Sequence, residues 1–239
     1  MVAWEARLQV SHHMEVAPGC LYWPEFLDRS GQEALVGEIN TILAEAPLFT
    51  PRMPRTGKAF SVRMSNCGPL GWVSDEAGYR YQSFHPDTRA PWPPMPAALL
   101  DAWNRLTGAA APPQACLINW YAPDARMSLH QDRDEHDFTA PVLSLSLGDT
   151  ALFRLGGTER RSPTRSLRLA SGDALLLSGE SRLAFHGIDR ILPGTSTLLP
   201  HPGRFNLTLR RVDPAELDPA EPATSARATL PPAFAAKTP

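Results

Sequence analysis

The chain has 239 residues, 43% of them hydrophobic and 20% charged, which suits one sizeable soluble core rather than a fibrous or low-complexity chain. A net charge of −2 with a pI near 6.4 excludes a protein that holds polyanions by bulk charge, so any nucleic-acid contact must rest on local basic patches. Three widely spaced cysteines, Cys20, Cys67 and Cys116, without a Cys-x-x-Cys pair, argue against a disulfide framework or a zinc knuckle and fit a reducing compartment.

Residues 1–15 read as a weakly patterned N-terminal extension. The opening Met1-Val2-Ala3-Trp4-Glu5-Ala6-Arg7 lacks a signal-peptide pattern, and no apolar run approaches the roughly 20 residues of a membrane span. A monomeric cytoplasmic protein is therefore expected. Gly31 to Ala46 predicts an amphipathic helix: Leu35, Ile39, Ile42 and Leu43 recur at helical spacing, Ser30 offers an N-cap and Pro47 stops the run. Pro96 to Thr107 predicts a second helix, opened by Pro96 and closed by Gly108. Between them, residues 49–94 are loop-rich and carry Trp72, Tyr79, Tyr81 and Trp92. That length suggests a lid or binding flap; the alternative is an irregular piece of core with a few short strands.

From Ala115 the pattern changes to short apolar, often alternating strands. They are expected at Ala115–Tyr121, Val142–Leu147, Ala151–Leu155, Ser166–Leu169, Ala174–Leu177, Leu183–Ile188 and Phe205–Val212. Gly148-Asp149 and Gly172-Asp173 supply turns. Many strands without intervening helices indicate a sandwich or jelly roll. Residues 213–239, rich in Pro, Ala and Thr, read as a disordered tail. The expected organisation is one globular domain, with helices and lid over 16–114 and a catalytic jelly-roll core over 115–212. Two basic stretches stand out. Arg154, Arg160, Arg161, Arg165 and Arg168 face one acid, Glu159; Arg52, Arg55, Lys58 and Arg63 face none. Charge alone favours solvated loops for both.

The chemical signal centres on His130-Gln131-Asp132. In an extended strand, positions i and i+2 share a face. His186 follows the apolar run Leu183-Ala184-Phe185 and can arrive on a neighbouring strand. Two imidazoles and a carboxylate are the usual cradle of non-haem Fe(II) in oxygenases. Alone the signal is weak, since such pairs arise by chance and a lone His is more often structural. The last strand strengthens it. Phe205, Leu207 and Leu209 face one way; Arg204, Asn206, Thr208 and Arg210 face the other. Two inward arginines demand anionic partners, and an arginine fork binds carboxylates. A dicarboxylate that also chelates the metal meets that demand, whereas a half-exposed strand would not need it. On a further strand Leu117, Asn119 and Tyr121 share a face, and the two polar residues can bond the same dicarboxylate.

With these residues in place, the chain resembles the AlkB family of Fe(II)/2-oxoglutarate-dependent DNA-alkylation-repair dioxygenases, in its bacterial form. The resemblance runs from about Gly19 to Arg211. It is carried by Asn66-Cys67-Gly68-Pro69-Leu70-Gly71-Trp72, Cys116-Leu117-Ile118-Asn119-Trp120-Tyr121-Ala122-Pro123, Ser128-Leu129-His130-Gln131-Asp132-Arg133-Asp134-Glu135, Gly179-Glu180-Ser181-Arg182 and Arg204-Phe205-Asn206-Leu207-Thr208-Leu209-Arg210. Over Arg55-Thr56-Gly57-Lys58-Ala59-Phe60 the chain departs from the family and offers no match to its lid tyrosine.

The resemblance implies a mostly β fold with flanking helices: a double-stranded β-helix core with an N-terminal nucleotide-recognition lid. It implies Fe(II) on His130, Asp132 and His186. It implies 2-oxoglutarate on Arg204 and Arg210, assisted by Asn119, Tyr121 and Asn206, with O2 as co-reactant. Trp72 would stack on the damaged base against His130, Asp134 would lie near its exocyclic amine, Tyr79 would contact phosphate, and Arg160 falls at a pocket position. The implied activity is oxidative demethylation of 1-methyladenine and 3-methylcytosine in single- or double-stranded DNA, with RNA left open, releasing formaldehyde, succinate and CO2. Such methylated bases are cationic, which suits an aromatic wall beside a carboxylate, and the target must leave the stack. Two other readings stay open at this point: a 2-oxoglutarate oxygenase acting on a protein, lipid or small molecule, and a non-catalytic jelly-roll binding module.

Overall fold

The computed structural model describes residues 13–109 and 111–213. Most of the N-terminal extension, and the expected tail from residue 214 onward, lie outside the described residues. Among the described residues are thirteen strands and two α-helices. The strands are β1 (Met14–Ala17), β2 (Cys20–Trp23), β3 (Arg63–Cys67), β4 (Gly71–Asp75), β5 (Gly78–Gln82), β6 (Ala115–Tyr121), β7 (Met127–His130), β8 (Val142–Gly148), β9 (Thr150–Leu155), β10 (Arg165–Leu169), β11 (Ala174–Leu177), β12 (His186–Leu192) and β13 (Arg204–Arg210). The helices are α1 (Arg29–Glu45) and α2 (Ala97–Thr107). Neither is long and apolar enough to cross a membrane.

A seven-stranded sheet, ordered β1-β2-β11-β8-β13-β6-β3, faces a four-stranded sheet, β10-β9-β12-β7. All pairings are antiparallel. This is the jelly roll expected from the strand pattern. The space between the sheets is filled by Leu117, Val142 and Leu175 from one side and Phe153, Leu155 and Ile188 from the other. The outer face of the large sheet carries Leu143, Leu145, Leu147, Phe205, Leu207 and Leu209, which pack under Leu35, Ile39 and Ile42 of α1 and Leu99 and Trp103 of α2. Burying each of these large side chains contributes about 1.5–3 kcal/mol. Strict alternation on β13 therefore has a direct cause: its odd positions meet the helices and its even positions meet the space between sheets.

The first helix begins two residues earlier than the apolar spacing suggests, and its cap is Asp28 rather than Ser30. The Asp28 carboxylate accepts from Gly31 N at 2.8 Å, while the Ser30 hydroxyl donates to that same carboxylate oxygen at 3.0 Å. A carboxylate at this position also favours the positive end of the helix. Gly108 ends α2 in the left-handed conformation (φ 61°) as anticipated. The stretch between the helices is more ordered than a plain loop. It supplies β3 to the edge of the large sheet and folds β4 and β5 into a separate hairpin. At the opposite edge β1 and β2, unpredicted by sequence pattern, extend the same sheet through β11.

Candidate active site

The middle of β13 sets the site. Arg204 lies opposite Tyr121 of β6, Asn206 opposite Asn119, and Thr208 opposite Leu117. On the other side Asn206 and Thr208 face Ser146 and Ser144 of β8. Every one of these side chains points between the sheets, so the jelly roll encloses a polar patch within apolar walls. In the small sheet, His186 opens β12 directly opposite His130, the last residue of β7. Gly187 permits that close approach, because a Cβ there would lie 2.5 Å from the Met127 carbonyl oxygen.

Two local expectations shift. Asp132 lies beyond the end of β7, not on it, and reaches the histidines from the following loop. The run Leu183-Ala184-Phe185 is not strand either. It follows a single 3-10 turn at Gly179–Ser181, its amides bond Ser181 and Gly157, and its apolar character reflects packing rather than pairing.

His130, Asp132 and His186 nevertheless converge, with their ligand atoms all within 4.8 Å of one another. Nε2 of His130 lies 3.7 Å from one Asp132 oxygen and Nε2 of His186 lies 3.8 Å from the other. Nδ1 of His130 is 3.0 Å from the Ser128 carbonyl and Nδ1 of His186 is 3.0 Å from the Ala184 carbonyl. A carbonyl only accepts, so both Nδ1 atoms carry protons and both Nε2 lone pairs are free for a metal. Burial, reinforced by His130, lowers the His186 pKa to about 4. Burial works against ionisation of Asp132, but Arg210, His186 and His130 outweigh it and hold the carboxyl well below the usual range. The cluster thus presents two Nε2 atoms and one carboxylate to a metal.

These shifts predict an acid limb in the stability of the metal-free protein. The unfolded chain protonates His186 near 6.5, while the folded one resists until about pH 4. Stability is therefore lost as pH falls through that window, by on the order of 3 kcal/mol. Asp132 adds to the loss at still lower pH. Thermal melts of the metal-free protein between pH 4 and 7 check this, and His186→Asn should flatten the curve; an unchanged slope in that variant sinks the assignment.

The cavity beside the triad is lined by Asn119, Tyr121, Arg204, Asn206, Thr208 and Arg210. The two arginines differ sharply. Arg210 is taken up by carboxylates, Asp132 at 2.8 Å and Glu135 at 3.3 Å. Arg204 is fully buried and meets only neutral acceptors: the Ser146 hydroxyl at 2.7 Å, Leu169 O at 3.1 Å and Asp149 O at 3.5 Å. Its Nε has no partner, nor does the Asn119 side-chain oxygen. Burial lowers the Arg204 pKa to about 10. A buried cation without a counter-anion is costly, so the cavity is electrostatically incomplete at the end away from the triad.

The family model described as 2OG-Fe(II) oxygenase superfamily matches residues 19–210. The "Alpha-ketoglutarate-dependent dioxygenase AlkB homolog" of Caulobacter vibrioides is 54% identical over 210 residues, covering 88% of this chain and 95% of that protein. This chain belongs to the AlkB family of 2OG-Fe(II) oxygenases. The AlkB dioxygenase of Escherichia coli is 42% identical over 188 residues, covering 77% of this chain and 86% of that one. A solved structure described as OsALKBH1 superposes with a TM-score of 0.71 at 30% identity, covering 84% of this chain and all of that one.

AlkB-family membership implies Fe(II), 2-oxoglutarate and O2, and the residues present fit them. The donor set is that of a non-haem Fe(II) site. The orphaned Arg204 Nε, a donor, marks where a carboxylate-bearing cosubstrate would complete the cavity.

Beside the triad, residues 53–81 and the segment that carries Asp132 line a groove of about 660 Å³, whose lining includes His130, Trp72, Tyr79, Asp134, Phe60 and Arg160. The structure thus brings Trp72, Asp134 and Arg160, expected around the base, and Tyr79, expected on a phosphate, to one groove. Trp72 lies parallel to Tyr79 (centroids 5.7 Å apart, planes at 17°), meets Phe60 edge-on, and donates from Nε1 to Asp134 at 2.8 Å. Phe60 supplies an aromatic ring where the chain departs from the family's lid pattern. Each basic stretch sends one residue to the groove, Lys58 and Arg160, joined by Arg126 and Arg133. The others mostly tie loops: Arg52 bonds Gly57 O, Arg63 bonds Leu48 O and Arg154 bonds Thr164.

Sequence reasoning gave no role to Glu135, Arg182 or Tyr81. Glu135 is nearly buried, accepts from Tyr81 at 2.5 Å and pairs with Arg182 at 3.1 Å. The available signal was a charged residue, Arg182, beside an otherwise apolar run.

Proposed function

We propose that this AlkB-family dioxygenase removes methyl groups from 1-methyladenine and 3-methylcytosine in DNA, and in RNA where the same cationic base is presented. The observation that carries this reading is the Trp72–Asp134 pair on the wall of a groove that also holds His130: an aromatic face and a carboxylate beside the metal cradle. That combination suits a flat cation better than a neutral base. Lys58, Arg126, Arg133 and Arg160 at the same groove suit a phosphate backbone despite the net negative charge of the chain.

In this reading His130, Asp132 and His186 hold iron. Arg204 meets the distal carboxylate of 2-oxoglutarate, with Asn119, Tyr121 and Asn206 bonding its polar atoms, while Arg210 steers Asp132 from beside the same cavity. Bound iron supplies the oxidation of a C–H bond by O2, coupled to oxidative decarboxylation of 2-oxoglutarate. Trp72 and His130 clamp the extruded base, Asp134 balances its positive charge, and Tyr79 with the basic residues holds its phosphates. One oxygen atom of O2 would end in succinate and the other in formaldehyde, and the base would be left neutral as one proton is released.

The test is release of formaldehyde and succinate in equal amounts from oligonucleotides carrying either lesion, as DNA and as RNA. Asp134→Ala should lower kcat/KM by roughly 10- to 150-fold, the value of a hydrogen bond to a charged group. 2-Oxoglutarate turnover without formaldehyde from any methylated oligonucleotide would move the assignment to a protein, lipid or small-molecule substrate.

A further inference from the structure

The β4–β5 hairpin touches the metal-bearing loop at two points. Trp72 and Tyr81 are cross-strand partners, so they project from the same face of the hairpin. Trp72 donates to Asp134 at 2.8 Å, and the Tyr81 hydroxyl donates to Glu135 at 2.5 Å. Both acceptors sit within three residues of Asp132. Glu135 then bridges two buried arginines. Its Oε1 lies 3.3 Å from Arg210 and its Oε2 lies 3.1 Å from Arg182. Arg210 grips the Asp132 carboxylate at 2.8 Å and 3.2 Å. Arg182 donates to the Asp132 backbone carbonyl at 2.7 Å and to Ala140 O at 2.8 Å. Asp132 is therefore held by its side chain and its backbone through two cations that share one glutamate. Among the described residues, the one hydroxyl on that glutamate comes from the strand paired with that of Trp72.

We propose that Tyr81, Glu135 and Arg182 are positioning residues that couple occupancy of the nucleic-acid groove to the orientation of Asp132, so that nucleic-acid binding and metal binding reinforce each other. This rests on the nucleic-acid reading of the groove. The cluster of Asp132, Glu135, Arg182 and Arg210 is buried and balanced in formal charge, so no member can move without disturbing the rest. A base seated against Trp72 shifts the hairpin, and Tyr81 carries the shift to Glu135. Linkage requires the effect to run equally in both directions.

The experiment measures binding, not turnover. Affinity for a short single-stranded 1-methyladenine oligonucleotide is read by fluorescence anisotropy, without oxygen, in the presence and absence of saturating Mn(II) and 2-oxoglutarate. The wild-type protein should bind at least about fivefold tighter with Mn(II) present, and Tyr81→Phe should show a ratio near one. Mn(II) affinity without oligonucleotide and the thermal midpoint should stay near wild type in Tyr81→Phe. Glu135→Gln should lose the coupling and weaken Mn(II) binding by roughly 10- to 100-fold, as for other groups that orient a metal ligand. Wild-type coupling retained in Tyr81→Phe overturns the proposal. So does oligonucleotide binding by the wild type with no dependence on Mn(II), and that result leaves the proposed function standing. Failure of the wild type to bind methylated oligonucleotide at all sinks the proposed function, and the relay with it.

Discussion

Asp132→Ala should abolish metal binding, bring 2-oxoglutarate turnover to background, and destabilise the metal-free fold by about 3–5 kcal/mol. The first two effects follow from its place among the three ligands. The third follows from its neighbours. Arg210 is almost fully buried and bonds Asp132 through two nitrogens. With the carboxylate gone, Glu135 alone must balance both Arg182 and Arg210, and one cation remains uncompensated in a dry interior. His130→Ala separates the effects. Its imidazole is 40% exposed, bonds the Ser128 carbonyl of its own strand and stands 3.7 Å from Asp132, so it should lose metal as completely with little change in the thermal midpoint. Calorimetric titration with Mn(II) and melts of the metal-free proteins are the measurements. Metal-dependent turnover surviving in Asp132→Ala defeats the assignment of the triad. Equal midpoints for the two variants would show that the Asp132–Arg210 pair adds nothing to the fold.

The parts of this site that were legible in the sequence are those carried by short, strictly alternating strands. On β13, Arg204 to Arg210 alternates because each side meets a different apolar layer, and that periodicity survives without knowledge of the partners. The same holds for Asn119 and Tyr121 on β6. Burial that is not periodic was misread. Leu183-Ala184-Phe185 is apolar because it packs in a turn, and a turn of three apolar residues has the same composition as a strand. The cap of α1 is Asp28 where the sequence pointed to Ser30; both residue types cap well, and only backbone geometry decides between positions two residues apart. The pairing of Glu135 with Arg182 joins residues 47 apart in sequence, and nothing local to either announces the other. β1 and β2 are four residues each, and β2 pairs with β11 near the far end of the domain. Such strands are made by the sheet edge they extend and have little pattern of their own.

Arg204→Met should separate cosubstrate binding from stability, with opposite signs. Arg204 is fully buried among neutral acceptors, and its Nε has no partner. The depressed pKa of the guanidinium, to about 10, has burial as its first cause. Methionine has similar reach and no charge, so the cosubstrate-free protein should be at least as stable as the wild type. Replacement of a buried ion by an apolar group of similar size is often neutral or favourable. The Ser146 hydroxyl and the Leu169 carbonyl lose a donor, and that loss limits the gain. Affinity for 2-oxoglutarate should move the other way. If one end of the dicarboxylate meets Arg204 in this low-dielectric cavity, truncation costs about 2–5 kcal/mol. That corresponds to roughly 30- to 5000-fold weaker binding. The wild-type midpoint should therefore rise with added 2-oxoglutarate and metal, as for any ligand that binds only the folded state, while the variant midpoint should stay flat over the same concentrations. Arg204→Lys should recover only part of the affinity, since a single ammonium cannot reproduce a bidentate fork. A methionine variant that binds 2-oxoglutarate as tightly as the wild type would remove Arg204 from the cosubstrate site and leave its buried charge without a function.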